Sequence, residues 1–165
     1  MFYTKRDYFY FNAKKDLLLA NTYRSQRNPM IVYKIVSTNN KGLIHRKFQY
    51  CLGENLSCGM DFKPICRYIH VGFGVFPTLR YALEGKEFYC GYNRMNQFKI
   101  IKCFINPLDI QGVKQFTRRR WRRITPENYE EDGDVDSIEL FVRTIIIKSF
   151  KPIKEDLTCT ENLKR

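Results

Sequence analysis

Three groups of residues have types and spacings that suit chemistry or recognition. The first is the run Arg118-Arg119-Arg120-Trp121-Arg122-Arg123. Guanidinium forks match phosphate oxygens bidentately, and an indole set among them offers a face for an exposed base. The run precedes Glu127, Glu130, Glu131, Asp132, Asp134, Asp136 and Glu139, so pairing with this acidic stretch is the competing use of the same arginines. The second group is N-terminal, where Lys5, Arg6, Lys14 and Lys15 lie among or just after Phe2, Tyr3, Tyr8, Phe9, Tyr10 and Phe11. That pattern suits a single-strand-binding surface, or an arm that packs on the fold or on a neighbouring subunit. These two groups are the expected polyanion-binding residues. The third is Gly72-Phe73-Gly74 ahead of a short helix, which would let a phosphate approach the helix start. It lacks the further glycine and the lysine of phosphate-binding loops, so the demands of a turn explain it equally well.

Metal and thiol chemistry has weaker support. Of six cysteines and two histidines, Cys51, Cys58 and Cys66 with His45 or His70 form the one grouping that resembles a ligand set, and its spacing matches no zinc finger or ribbon. No metal is expected, and no pair shows the CxxC spacing of a redox motif. The cysteines read as free thiols in a reducing compartment, and with no signal-like apolar segment at the start the expected location is intracellular. No apolar run approaches the ~20 residues of a membrane-spanning helix.

The formal charge of +12 narrows the choice of partner. Such an excess attracts nucleic acid or an acidic protein surface and is not needed for folding. Residues 1 to 50 carry ten Lys and Arg against Asp7 and Asp16, whereas the arginine run is locally balanced by the acids after it. With 165 residues and 44% apolar content, the chain has enough core for one domain without metals or disulfides.

The elements that must position these groups follow from periodicity and turn residues. Met30 to Thr38 is a β-branched strand, Asn39-Asn40-Lys41-Gly42 a hairpin turn and Leu43 to Tyr50 the returning strand. Cys51 to Pro64 reads as a loop, and Ile65 to Val71 as extended. Pro77 to Glu84 is expected to be helical, ended by Gly85, with a brief strand over Lys86 to Tyr92. Gln97 to Asn106 is a strand with apolar residues on both faces, and Gly112 to Arg123 a short strand or helical turn. Ile138 to Phe150 reads as one long central strand, with Ile138, Leu140, Val142, Thr144 and Ile146 on one face. A helix near 13 to 21 completes the set. The expected class is α+β, with a mostly antiparallel or mixed sheet. Residues 1–29 form a basic arm and short helix, 30–153 the core, and 154–165 a C-terminal tail.

Gly72-Phe73-Gly74-Val75-Phe76, followed by Tyr81-Ala82-Leu83, resembles the segment of ADP-ribosyltransferase-type folds in which a Gly-x-Gly precedes a short helix. That resemblance implies NAD as cofactor, with His45 holding the ribose, Tyr81 stacking near the nicotinamide and Glu139 directing transfer. His45 is followed by Arg46-Lys47 instead of the glycine and small hydroxyl residue usual there.

More broadly, the Asn-Asn-Lys-Gly turn, Gln49-Tyr50, the Gly-Phe-Gly-Val-Phe stretch and the Ile-rich last strand are similar to small uncharacterised proteins of giant DNA viruses. The resemblance implies a virion- or infection-associated setting with virion proteins as partners. The expected function is a basic, non-catalytic structural or accessory protein that holds nucleic acid or an acidic protein surface, with an ADP-ribosyltransferase-like enzyme as the alternative.

Overall fold

The β-branched run Met30–Ser37 forms strand β1, and the apolar run Phe98–Ile105 pairs with it antiparallel along its whole length as β4. These strands belong to a computed structural model that describes residues 13–43, 48–57, 72–117, 122–123 and 135–154. The first sheet has the order β1-β4-β8-β2, with β2 at Gly53–Leu56 and β8 at Thr144–Ile147. The second has the order β3-β7-β5-β6, from Phe73–Val75, Ser137–Val142, Ile110–Thr117 and Arg122–Arg123. All described strand pairs are antiparallel. With helices α1 (Ala13–Arg24) and α2 (Leu79–Cys90), the architecture is α+β.

The strands divide between two sheets because two of the chain's extended stretches change sheet midway. After β4 a tight turn at Pro107–Asp109, with Asn106 Oδ1 accepting from Leu108 N at 3.0 Å, carries the chain into β5. The stretch read as one strand from Ile138 to Phe150 breaks at Arg143, whose N–H donates to Asp109 O at 3.1 Å while its carbonyl accepts from Ser57 N at 2.9 Å. The break reverses which side chains face the core. Ile138, Leu140 and Val142 point inward before it and Ile145 and Ile147 after it, leaving Ile146 exposed. The expected central position holds in both halves, since β7 lies between β3 and β5 and β8 between β4 and β2.

The inner faces of both sheets share one core. Val32, Val36, Ile101, Cys103 and Ile105 meet Phe73, Val75, Val113, Leu140 and Val142, with Ala20, Leu19 and Tyr23 of α1 packed against them. Arg24 ties α1 down by donating from Nε at 2.8 Å, and from Nη2, to Ile110 O. A smaller cluster of Ile35, Ile100, Phe76 and Ala82 lies under α2. Tyr33 and Phe76 join the sheets by reciprocal backbone hydrogen bonds of 2.8 and 2.7 Å.

Several local expectations change. Helix α2 begins after Pro77, with Thr78 Oγ1 accepting from Tyr81 N at 3.1 Å, and it runs through Gly85 to Cys90. The brief strand expected over Lys86 to Tyr92 is therefore helix and a following turn. Gly85 does not end the helix; the ring of Phe76 lies where its Cβ would be. Gly91, at φ +63°, is the residue that ends it. The Asn39-Asn40-Lys41-Gly42 turn forms, with Asn40 at φ +63°. Among the described residues its returning arm makes only single bridges, Val36 with Gly42 and Lys41 with Gln49, because β4 occupies the length of β1. The loop from Cys51 contains β2, and Gly112 to Thr117 is strand.

Candidate functional site

Alternation along β4 divides its residues between the core and an outer face. Ile101, Cys103 and Ile105 point inward, while Lys102 is exposed and Phe104 half-buried on the outer side. Phe104 has Ile31 of β1 opposite on one side and Ile146 of β8 on the other. Both isoleucines are exposed, at 45% and 39%. Continuing the Phe104–Ile146 register by two residues sets Lys148 across from Lys102. Both ammonium groups lie over the Phe104 ring, Lys148 Nζ at 4.3 Å and Lys102 Nζ at 5.5 Å from its centroid. Helix α2 covers the other end of this face through Ile35 and Ile100, and among the described residues no element lies over the end around Phe104.

Like charges on directly opposed strand positions repel, by a few tenths of a kcal/mol up to about 1 kcal/mol. An exposed contact with an aromatic face returns about 0.5–1 kcal/mol each, and the two together offset that repulsion. Among the described residues neither Lys102 nor Lys148 has a carboxylate at ion-pair distance. The arrangement is a half-buried aromatic ring beneath two cations that form no ion pair among the described residues, a combination that suits an anion carrying a flat apolar group.

A second polar assembly lies inside the protein. On the face of β7 opposite Ile138 and Leu140, Glu139 Oε1 lies 3.2 Å from Lys114 Nζ of β5, with the two side chains 7% and 2% exposed. Tyr89 of α2 donates its hydroxyl proton to the same carboxylate oxygen at 2.5 Å, and Lys114 also donates to the Tyr89 hydroxyl. Gly74 is required here because a Cβ would strike the Glu139 carboxylate. Gly72 is required for another reason, at φ +115° and with the Val142 carbonyl against it. The glycine pair thus meets close backbone approaches.

A buried lysine, Lys34, donates to Gly74 O at 2.8 Å and lies over the Tyr50 ring at 5.1 Å. Phe48, Tyr50 and Phe73 pack against one another with centroids 4.8 to 5.5 Å apart, Phe48 and Tyr50 edge-on and the other two pairs tilted. Burial pushes the nearby Cys103 thiol up to about 12, with the Lys34 charge opposing that shift.

Of the residues singled out in the sequence, the structure describes only some. Glu139 is held by Lys114 and Tyr89. Tyr81 is half-buried between the two core clusters, and its carbonyl accepts from Ser137 Oγ at 2.8 Å. The Tyr23 phenol is raised to about 12 by burial first and by Tyr81 second. His45, Lys5, Arg6, Arg118, Arg119, Arg120 and Trp121 lie outside the described residues, as do Cys58, Cys66 and His70. Lys14 and Lys15 fall in α1, and Arg122 and Arg123 pair their backbones with Thr117 and Phe116. Among the described residues no group of three or more His, Cys, Asp or Glu is placed to hold a metal. None of their helices is long and apolar enough to cross a membrane.

No protein-family model, curated protein or solved structure matches the chain. The residues that sequence reasoning passed over are Lys102, Phe104 and Lys148 outside, and Lys114 and Tyr89 inside. The outer set had a signal, the i, i+2 alternation of Phe98, Ile100, Lys102 and Phe104. It becomes a site only once β8 is known to lie beside β4.

Proposed function

We propose that this protein is a basic binding module whose partner is nucleic acid, engaged through the open end of the first sheet. The supporting observation is the side-by-side placement of Lys102 and Lys148 on an exposed face, with no carboxylate partner among the described residues, in a chain of net charge +12. Binding would proceed by neutralising phosphates and releasing their condensed counterions. The N-terminal basic residues and the arginine run would extend the same field. In the viral setting that the sequence resemblance implies, such a module is a structural or accessory component that holds the polyanion without needing to read its sequence.

The test is a salt titration of binding to labelled single-stranded and duplex DNA. A plot of log K against log salt should fall linearly. Lys102→Gln/Lys148→Gln should make the single-strand slope shallower by about 1.4, at ~0.7 for each phosphate that is no longer neutralised. Arg118→Ala/Arg120→Ala/Arg122→Ala measures the contribution of the arginine run separately. Absence of binding at low salt would overturn the proposal and direct attention to an acidic protein surface.

A further inference from the structure

We infer that Phe104 is a base-stacking subsite that makes this face select single-stranded over duplex nucleic acid. The inference rests on the nucleic-acid reading above and adds the part of the ligand that is recognised. Phosphate electrostatics alone favours the duplex, whose charge density is higher; an aromatic ring at the surface favours the single strand, because only an unpaired base can leave its stack to cover it.

The geometry around Phe104 suits that exchange. The ring is central in a row of three, between Ile31 and Ile146, whose exposed side chains give a base apolar walls on both sides. The lysine row lies two residues along the strands, about 7 Å away, close enough for a phosphate to meet Lys102 and Lys148 while its base lies on the ring. In the free protein the ring is covered by the two ammonium groups instead. Two exposed cation–π contacts together correspond to about 5- to 30-fold in an equilibrium, and a base stacked on an aromatic side chain to about 5- to 150-fold, so the exchange is favoured once the freed ammonium groups also gain a phosphate. The base displaces the ammonium groups, and they turn to the phosphate, which relieves their mutual repulsion. Glu54 lies across from Ile146 on the edge strand, diagonal to Lys148, so its charge bounds the site at that edge.

The experiment compares a fluorescein-labelled dT12, an abasic strand of the same length and a 12-base-pair duplex, with the full chain as wild type, Phe104→Leu, Phe104→Tyr and Lys102→Gln/Lys148→Gln. Leucine keeps an apolar side chain at this half-buried position and removes the ring; tyrosine keeps the ring. Wild type should bind dT12 more tightly than the abasic strand or the duplex. Phe104→Leu should weaken dT12 by about 5- to 150-fold, leave the abasic strand unchanged and keep the salt slope, while Phe104→Tyr restores dT12 binding. The double lysine variant should lower the salt slope and keep the preference for dT12. Equal, salt-dependent binding of all three ligands, unchanged in Phe104→Leu, would overturn the stacking subsite and leave the nucleic-acid reading standing. No binding of any ligand at low salt would overturn both.

Discussion

Glu139 and Lys114 face each other across neighbouring strands at 3.2 Å, inside the protein, and share one carboxylate oxygen with the Tyr89 hydroxyl. The pair links β7 to β5, and through Tyr89 it fixes α2 on the second sheet. Removing one member strands the other in a poorly solvated site. Glu139→Ala should therefore destabilise the fold by about 3–5 kcal/mol. Replacing both charges, as in Glu139→Leu/Lys114→Met, should recover a large part of that loss, because an apolar pair leaves no unpaired ion. Urea unfolding of the two variants decides it; equal losses would show that the pair's charges are already hydrated.

The contact between Gly85 and Phe76 reverses an ordinary helix rule. In a helix interior, Gly→Ala stabilises by about 0.8–1.0 kcal/mol. Here the added methyl meets the Phe76 ring, so Gly85→Ala should destabilise by about 1–3 kcal/mol, the range for overpacking a core. In a Phe76→Ala background, where the ring is gone, the same change should become neutral or stabilising. A double-mutant cycle in thermal unfolding measures that coupling, and additive effects would show that the ring moves aside freely.

Those two contacts also mark how far the sequence could be read. The α+β class, the β1 and β4 strands and the helix after Thr78 follow from local pattern, because runs such as Met30–Ser37 and the Thr78 cap carry their own information. Gly85 misleads for the same reason. Read locally it is a helix stop; the ring that makes it necessary belongs to a residue before the helix, and Gly91 supplies the stop. The Ile138 to Ile147 stretch gives no local sign of changing sheets, since the hydrogen bonds that bend it at Arg143 come from Asp109 and Ser57. Glu139, Lys114 and Tyr89 are separated by 25 to 50 residues and become one network only through sheet pairing. The Phe104 site is legible in part: alternation assigns Lys102 and Phe104 to one face, and strand order adds Lys148.

Thiol and phenol burial predicts the alkaline limb of stability. The Cys103 group rises from 9.0 to about 12, so its contribution is fully present below pH 9 and is lost as pH climbs toward 12. The unfolded chain releases that proton first, giving a slope near 1.4 kcal/mol per pH unit in that window. Tyr23, raised from 10.0 to about 12, acts in the same direction with more solvent screening. Cys103→Ala should be less stable at pH 8 because it leaves a small cavity, yet its stability should fall less steeply between pH 9 and 12. Parallel curves for the two proteins would show that Cys103 does not titrate differently in the folded state.

Lys34 tests whether a buried ammonium can be dispensable. Among the described residues its nitrogen has one carbonyl acceptor, Gly74 O at 2.8 Å, and aromatic rings at 5.1 and 5.9 Å. Methionine keeps the unbranched stem and its contacts with Tyr50 and Phe73, and removes a charge that favours burial only while it is well paired. Lys34→Met should therefore change stability by less than about 1.5 kcal/mol, as volume-conserving core swaps do. It should also raise the Cys103 group further, because the Lys34 charge is what opposes the burial effect there. Carbon-13 NMR of the Cys103 β-carbon should then show its ionisation at higher pH than in wild type, while iodoacetamide, with exposed Cys51 as the internal reference, should label the buried Cys103 no faster. Faster labelling of Cys103 would mean that the substitution opens the core around Tyr50 and Phe73.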